Sequence, residues 1–199
     1  MKVTAARFLG AAAEPGTEPP PRLPEVAFAG RSNAGKSSLL NQLVGRHGLA
    51  RTSRTPGRTR QLNFFLVNER FLLVDLPGYG FAAGPVAERL AWGPLVETYL
   101  RERPTLCGVA LVVDARRGVE GEEEELLAYL AAAGVPAAVV ATKLDKLARG
   151  PARAALAGFE RALGARVPCV GFSALSGEGR DAVWRVLGGW LRTGRPAVR

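Results

Sequence analysis

Acidic residues are missing from a long stretch in the first third of the chain. There is no Asp or Glu between Val26 and Asn68, although the 199-residue sequence contains 18 acidic residues in all and has a formal net charge of +9. The basic residues of that stretch are Arg31, Lys36, Arg46, Arg51, Arg54, Arg58 and Arg60. A basic block without neighbouring acids attracts polyanions, so it favours binding of nucleotide phosphates or a nucleic acid over the plain alternative of a solvated loop.

Long apolar runs, cysteine and histidine are also scarce. No apolar segment approaches the roughly 20 residues that span a bilayer, and the first ten residues lack the pattern of a cleavable signal, so we expect a cytoplasmic protein without a membrane span. The two cysteines, Cys107 and Cys169, lie beside apolar segments and away from His47, the single histidine. We therefore expect buried thiols rather than a metal site.

The pattern of apolar residues predicts the fold class. Short apolar segments alternate with Ala- and Leu-rich segments of helical character, which is typical of α/β proteins. The predicted strands cover residues 26–29, 61–67, 71–74, 109–113, 137–141 and 168–172, and helices are predicted at 38–44, 122–133 and 180–191. The glutamates at 122–125 would fall in the first turn of a helix, which favours a helix start over a metal site. We expect one domain over residues 25–192, with a Pro-rich extension at 1–24 and a basic tail at 193–199.

The strongest motif lies between the first predicted strand and the helix after it. Gly30, Arg31, Ser32, Asn33, Ala34, Gly35, Lys36 and Ser37 match the pattern G-x-x-x-x-G-K-S, and Ser38 follows them. In this context the glycines let backbone N–H groups turn toward phosphate oxygens, and the helix N-terminus adds positive potential. We expect Lys36 to reach the β- and γ-phosphates and the Ser37 hydroxyl to bind Mg²⁺.

A second pattern, D-x-x-G, follows the apolar segment 71–74. It consists of Asp75, Leu76, Pro77 and Gly78. Asp and Gly both favour turns, so the pattern is weak alone, but its place after a phosphate-binding loop gives it weight. We expect Asp75 to hold Mg²⁺ through water and the Gly78 amide to approach the γ-phosphate.

A third pattern, at the ends of the last two predicted strands, indicates base recognition. Thr142, Lys143, Leu144 and Asp145 follow the segment 137–141, and Ser173, Ala174 and Leu175 follow the last strand. A carboxylate accepts hydrogen bonds from guanine N1–H and its exocyclic amine, which adenine does not present in that arrangement. We expect Asp145 to select guanine, the Lys143 stem to cover the base and the Ala174 N–H to contact guanine O6.

These motifs in this order resemble the translation-factor-like GTPases of the TRAFAC class, and several segments resemble the EngB family in particular. The segments are 53–60 (Ser-Arg-Thr-Pro-Gly-Arg-Thr-Arg), 75–80 (Asp-Leu-Pro-Gly-Tyr-Gly), 142–145 and the pair Trp92 and Gly93. The resemblance covers roughly residues 3–192. It implies a Ras-like P-loop GTPase domain with a six-stranded, mostly parallel sheet and helices on both faces. It further implies a monomeric GTPase switch in large ribosomal subunit assembly, with the subunit or its rRNA as partner, needed for normal cell division and septation.

The resemblance also assigns roles to single residues. Lys36, Thr59 and Gly78 would act in GTP hydrolysis, and the Thr59 hydroxyl would join Ser37 and Asp75 on Mg²⁺. The segment expected along the GTP or GDP is Gly57, Arg58, Thr59, Arg60 and Gln61.

Three positions depart from, or add to, the general GTPase pattern. Thr142 stands in place of the usual Asn, which predicts a looser tether to the phosphate-binding loop. Tyr79 stands where a Gln orients the attacking water in Ras-like enzymes, so slow hydrolysis without a partner is expected. Asn33 gives a loop that resembles those of GTPases that recruit potassium, and we hypothesise stimulation by K⁺.

Two other functions fit parts of the sequence. A P-loop kinase that uses ATP would share the loop, but Asp145 argues against it, and no Arg-rich lid segment follows the core. A non-hydrolysing RNA-binding module would share the basic surface. The complete set of Lys36, Ser37, Thr59 and Asp75 argues against loss of the nucleotide site.

Overall fold

The computed structural model describes residues 1–50, 61–79 and 93–194, which build a seven-stranded sheet with helices packed on it. The strands are β1 (Ala6–Ala12), β2 (Glu25–Gly30), β3 (Leu62–Val67), β4 (Phe71–Asp75), β5 (Leu106–Asp114), β6 (Ala137–Thr142) and β7 (Cys169–Gly171). The α-helices of the described part are α1 (Lys36–Val44), α2 (Gly93–Glu102), α3 (Gly121–Ala132), α4 (Arg149–Leu163) and α5 (Arg180–Thr193). Two short 3₁₀ turns cover Leu144–Lys146 and Gly164–Arg166.

The strand order brings the predicted motifs to one edge. The order is β1-β3-β4-β2-β5-β6-β7, with β2, β4, β5, β6 and β7 parallel and β3 antiparallel to β1 and β4. Parallel neighbours end at the same edge of a sheet, which is where ligands of open α/β folds bind. Gly30, Asp75, Asp114 and Thr142 close four of these strands and therefore lie along that edge.

The core has one layer on each face of the sheet. Successive strand residues point to opposite faces, and β2 shows this directly. Ala27 packs into the cluster that contains residues of α2, α3 and α4, whereas Phe28 packs into the cluster that contains residues of α1 and α5. The helix predicted at 180–191 is confirmed as α5, and it packs in this second cluster through Trp184, which is 2% exposed and whose indole N–H donates to the Leu43 carbonyl. The predicted Ras-like α/β architecture is confirmed.

The sheet has seven strands rather than the expected six. The additional strand is β1, which lies in the segment expected to be an N-terminal extension and pairs antiparallel with β3. Only its end residues, Ala6 and Ala12, are buried, while residues 7–9 are exposed. This edge strand lacks the continuous apolar pattern of a buried strand, so the sequence pattern did not reveal it.

The expected hairpin is present as β3 and β4, joined through Asn68 and Glu69, which both have a φ of 52°. Cys107 is buried and Cys169 is partly buried. Burial raises the pKa of the Cys169 thiol to about 11, so it is protonated at neutral pH. No described helix combines the length and the apolar composition needed to cross a membrane.

Candidate nucleotide-binding site

The loop between β2 and α1 has the backbone geometry of an anion site. It covers residues 31–35, and α1 begins at Lys36. Asn33 and Gly35 have φ values of 63° and 97°, and left-handed residues of this kind turn backbone N–H groups into an anion-binding concavity. A Cβ at Gly35 would lie 3.3 Å from Thr142 Oγ1, so the close approach of the loop to β6 also favours glycine. Together with the N-terminus of the nine-residue α1, this backbone fits phosphate groups.

Lys36 and Asp75 meet at the sheet edge. The Lys36 ammonium donates to the Asp75 carboxylate and, at 2.6 Å, to the Leu76 carbonyl. The two side chains are only 12% and 13% exposed, so water screens this pair weakly. The charged groups assigned to phosphate and metal binding are thus brought together.

The donor set at this edge fits magnesium. Ser37 and Ser38 lie in the first turn of α1, directly after Lys36. Mg²⁺ prefers oxygen ligands and is usually bound by one or two carboxylates together with substrate phosphates. Residues 1–50, 61–79 and 93–194 include no group of three His, Cys, Asp or Glu residues suited to a metal. Within the described part of the chain, the expected metal ligands are therefore Ser37 and Asp75, together with phosphate oxygens.

The D-x-x-G segment packs directly on the phosphate-binding loop. A Cβ on Gly78 would lie 3.3 Å from the Ser32 nitrogen. The next residue, Tyr79, is 3% exposed, and its hydroxyl donates to Glu123 at 3.1 Å. Burial, and then the neighbouring Glu123 carboxylate, hold the pKa of Tyr79 well above its usual value. The phenol therefore faces α3 as a neutral hydrogen-bond donor.

Thr142 connects the base-recognition segment to the loop. Its hydroxyl oxygen lies 2.5 Å from the Ala34 carbonyl and 3.1 Å from the Val113 carbonyl. A hydroxyl carries one proton, whereas an Asn amide carries two. The tether is thus present, and the looser tether predicted from the sequence stays a prediction.

Asp145 and Ser173 form the other end of the site. Asp145 is 17% exposed in its side chain and accepts a hydrogen bond from Ser173 Oγ at 2.7 Å. Ser173 Oγ in turn accepts bonds of 3.2 Å from the amides of Leu175 and Ser176. Among the described residues the Ala174 amide has no hydrogen-bond acceptor, which leaves it able to bind guanine O6.

Asp114 lines the same edge, although no sequence motif points to it. Lys143 Nζ lies 2.9 Å from Asp114 Oδ2 and 2.5 Å from the Asn33 carbonyl, so Lys143 joins the base site to the phosphate-binding loop. Arg116 also binds Asp114, through Nε at 2.9 Å and Nη2 at 2.6 Å. Burial alone would raise the pKa of Asp114, but these hydrogen bonds outweigh it and hold the pKa well below its usual value. The available signal was a carboxylate at the end of a strand beside β2.

Other expected site residues lie outside the described part of the chain. They are Gly57, Arg58, Thr59 and Arg60. Arg51 and Arg54 of the basic block and Trp92 of the family resemblance also lie outside it. Gln61 is described, is exposed and directly precedes β3.

A cavity of about 500 Å³ lies beside the phosphate-binding loop. Its lining includes loop residues 31–34, Tyr79, Asp114, Glu120 and Lys143. The cavity therefore extends from the sheet edge that carries Gly30, Asp75, Asp114 and Thr142, called the nucleotide edge below, toward the first turn of α3.

Comparison with known proteins gives consistent matches. A family model described as "50S ribosome-binding GTPase" matches residues 25–143, which include the loop, Asp75 and Lys143. The chain is 53% identical to a probable GTP-binding protein EngB of Geobacter metallireducens over 98% of this chain and 96% of that protein. It is 48% identical to a protein of the same description from Desulfatibacillum aliphaticivorans, over 94% of this chain and 92% of that protein.

Solved structures show the same fold. A crystal structure of a probable GTP-binding protein EngB matches with a TM-score of 0.66 and 24% identity, over 85% of this chain and 99% of that one. Era in complex with MgGDPNP and nucleotides 1506–1542 of 16S ribosomal RNA matches with a TM-score of 0.65 and 25% identity, over 89% of this chain and 59% of that one. The sequence matches over nearly the whole chain, together with the family model, show that the chain belongs to the EngB family of GTP-binding proteins and is a GTPase.

Proposed function

We propose that this GTPase is a nucleotide-dependent switch that binds the large ribosomal subunit or its precursor and acts in its assembly. The observation that carries the proposal is the match to a 50S ribosome-binding GTPase model over the residues that form the nucleotide edge. The formal charge of +9 supports an RNA-rich partner, since phosphate contacts dominate binding to nucleic acids.

The site residues take the following roles in this proposal. The loop backbone and Lys36 hold the phosphates, and Asp145 and Ala174 recognise guanine. Mg²⁺, held by Ser37, Thr59 and Asp75, would neutralise charge on the transferred phosphate. Potassium near Asn33 is part of the same proposal, and equal turnover in sodium and potassium salts would remove it.

Hydrolysis is slow without a partner in this proposal. The support is Tyr79, whose hydroxyl is engaged by Glu123 and whose side chain is buried, so this position offers no amide to orient water. A ribosomal particle that supplies the missing group would couple hydrolysis to an assembly step. Such a monomeric switch would work in the cytoplasm and affect cell division and septation through ribosome supply.

Nucleotide-dependent co-sedimentation tests the proposal. The purified chain, loaded with GDP or a non-hydrolysable GTP analogue, is centrifuged with large and small ribosomal subunits over a series of salt concentrations. We expect tighter binding of the GTP form to large subunits, with affinity that falls steeply as salt rises. The Arg51→Ala, Arg54→Ala double variant should weaken this binding and flatten its salt dependence, while GTP affinity is unchanged.

A matched control removes the same charge elsewhere. Arg153 and Arg161 are exposed on α4, so the Arg153→Ala, Arg161→Ala variant has the same net charge but keeps Arg51 and Arg54. We expect it to bind large subunits like the wild type. Equal affinity of the GDP and GTP-analogue forms for large subunits would contradict the proposal, as would tighter binding to small subunits. If both double variants lose the same affinity for large subunits, the effect of the arginines comes from net charge alone and not from their position.

A further inference from the structure

Tyr79 is held at two points beside the nucleotide edge. Its backbone pairs with Arg31 of the phosphate-binding loop, and its carbonyl accepts a hydrogen bond from the Ser32 N–H at 3.4 Å. Its side chain is 3% exposed, and its hydroxyl donates to Glu123 Oε1 at 3.1 Å. The residue directly after Gly78 is therefore fixed both to the loop and to α3.

Glu123 is itself a rigid acceptor. It is 1% exposed, and its second oxygen, Oε2, accepts the Glu120 N–H at 3.0 Å. This bond belongs to the capping box at the start of α3, in which Glu120 is the N-cap and Glu123 the third helical residue. A capping box satisfies N–H groups that a helix end leaves open, so Glu123 cannot move without loss of the cap.

The phosphate-binding loop is attached to the same helix turn. The Arg31 guanidinium lies 2.6 Å from the Glu120 carboxylate and 3.4 Å from that of Glu122. The loop, through Arg31, and the segment after Gly78, through Tyr79, thus both bind glutamates at the start of α3.

Gly78 has little freedom between these attachments. A Cβ there would lie 3.3 Å from the Ser32 nitrogen and 3.6 Å from the Gly30 carbonyl oxygen, so its backbone packs on the loop. In the proposed function the Gly78 amide approaches the γ-phosphate. Its distance from the phosphates therefore depends on where Tyr79 is held.

We propose that Tyr79 is a positioning residue for the γ-phosphate: its hydrogen bond to Glu123 sets where the Gly78 amide lies against the phosphate-binding loop. The inference rests on the proposed role of Gly78. GDP has no γ-phosphate, so Tyr79 acts on GTP affinity and hydrolysis but not on GDP affinity. Burial raises the pKa of both Tyr79 and Glu123, and the phenol remains a donor throughout the neutral pH range.

Nucleotide titration of the full chain, without ribosomes, tests this role. Tyr79→Phe removes the donated proton and keeps the ring. We expect the ratio of GTP-analogue affinity to GDP affinity to fall about fivefold or more, as for a typical coupling between sites, with GDP affinity and the unfolding curve reported alongside. Glu123→Gln keeps one acceptor oxygen and a residue type used in capping boxes, so a smaller fall is expected.

Two comparison variants separate positioning from packing. Tyr99→Phe removes a similar buried bond, from Tyr99 to Glu25 at 2.9 Å, at the opposite end of β2. It should lower stability without changing the affinity ratio. Gly78→Ala should lower the ratio at least as much as Tyr79→Phe.

The outcomes are distinct. If Tyr79→Phe behaves like Tyr99→Phe while Gly78→Ala lowers the ratio, Tyr79 only fills the core and the inference is overturned. If Gly78→Ala also leaves the ratio unchanged, the proposed contact of the Gly78 amide with the γ-phosphate is wrong, and the inference that rests on it is overturned as well. Neither result depends on ribosome binding, which co-sedimentation measures separately.

Discussion

In the proposed function a single side chain, Asp145, decides the choice of base. Its carboxylate is largely shielded from water and is oriented by the Ser173 hydroxyl. That hydroxyl donates to Oδ1, an oxygen that Asn also has, so Asp145→Asn keeps the orienting bond. The substitution removes the second acceptor that guanine requires. A hydrogen bond to a charged group contributes roughly 1.5–3 kcal/mol.

We therefore expect Asp145→Asn to weaken GTP binding about tenfold or more and to strengthen binding of xanthosine triphosphate, whose additional carbonyl suits the Asn amide. Competition titrations with GTP, xanthosine triphosphate and ATP measure both effects. Asp181→Asn, the same change at an exposed position on α5, is the control and should bind like the wild type. Similar affinities of the wild type for ATP and GTP would overturn the assignment of Asp145.

At the scale of secondary-structure elements, the ends of β5 and β6 are joined by charge. Asp114 closes β5 and binds both Arg116, in the following turn, and Lys143, directly after β6. The strands themselves pair through six register positions, the last of which is Asp114 with Thr142. The backbone ladder sets the distance between the two strand ends, and Asp114 then fixes Lys143 between the loop and the base site.

This connection predicts a pH dependence with a definite sign. The pKa of Asp114 is lower in the folded protein than in the unfolded chain, where an Asp has a value of about 3.9. The stability it contributes is therefore fully present above that value and is lost as pH falls toward the folded pKa. In urea unfolding from pH 7 to pH 3, the stability difference between wild type and Asp114→Asn should stay constant above about pH 5 and shrink below about pH 4. A difference that does not shrink in acid would show that the carboxylate charge is irrelevant.

At the scale of the whole molecule, the N-terminal residues take part in the sheet. β1 pairs with β3, Ala6 and Ala12 are buried, and the Asn68 side chain accepts from the Thr4 N–H and donates to the Lys2 carbonyl. Removal of residues 1–12 would leave one edge of β3 without partners. The nucleotide edge, which is centred on β2, β5 and β6, does not include β1.

Deletion of residues 1–12 should therefore lower the midpoint of thermal unfolding and leave GDP binding intact. For a chain of this size about 1 kcal/mol corresponds to 2–4 °C, and we expect a fall of at least about 5 °C. Calorimetry and GDP titration of the shortened and full chains check this. An unchanged midpoint would instead support a domain boundary at residue 24, with the first residues as an attached extension.

How far the sequence predicts the site can be seen in particular residues. Lys36, Asp75, Gly78 and Asp145 could be predicted as site residues because each belongs to a short motif whose spacing follows from local geometry, such as a loop that turns from a strand into a helix. The strands that carry them were found from apolar segments, whose alternation with helical segments gave the α/β class, and the order of motifs gave the family. Asp114 and Glu120 belong to no such motif and were missed, and Glu123 was assigned only to the first turn of a helix.

The sequence by itself determined the family and the Ras-like architecture, and it predicted the chemistry of the nucleotide edge, since all three depend on motifs and apolar patterns that are local in the chain. Only the tertiary structure decided that Tyr79 binds Glu123 and that Arg31 binds Glu120, which are 44 and 89 residues apart. It also decided that β1 forms the edge strand of the sheet, paired with β3. The physical reason is the same in each case: these contacts exist because the strand order places distant segments side by side, and no local propensity specifies that order.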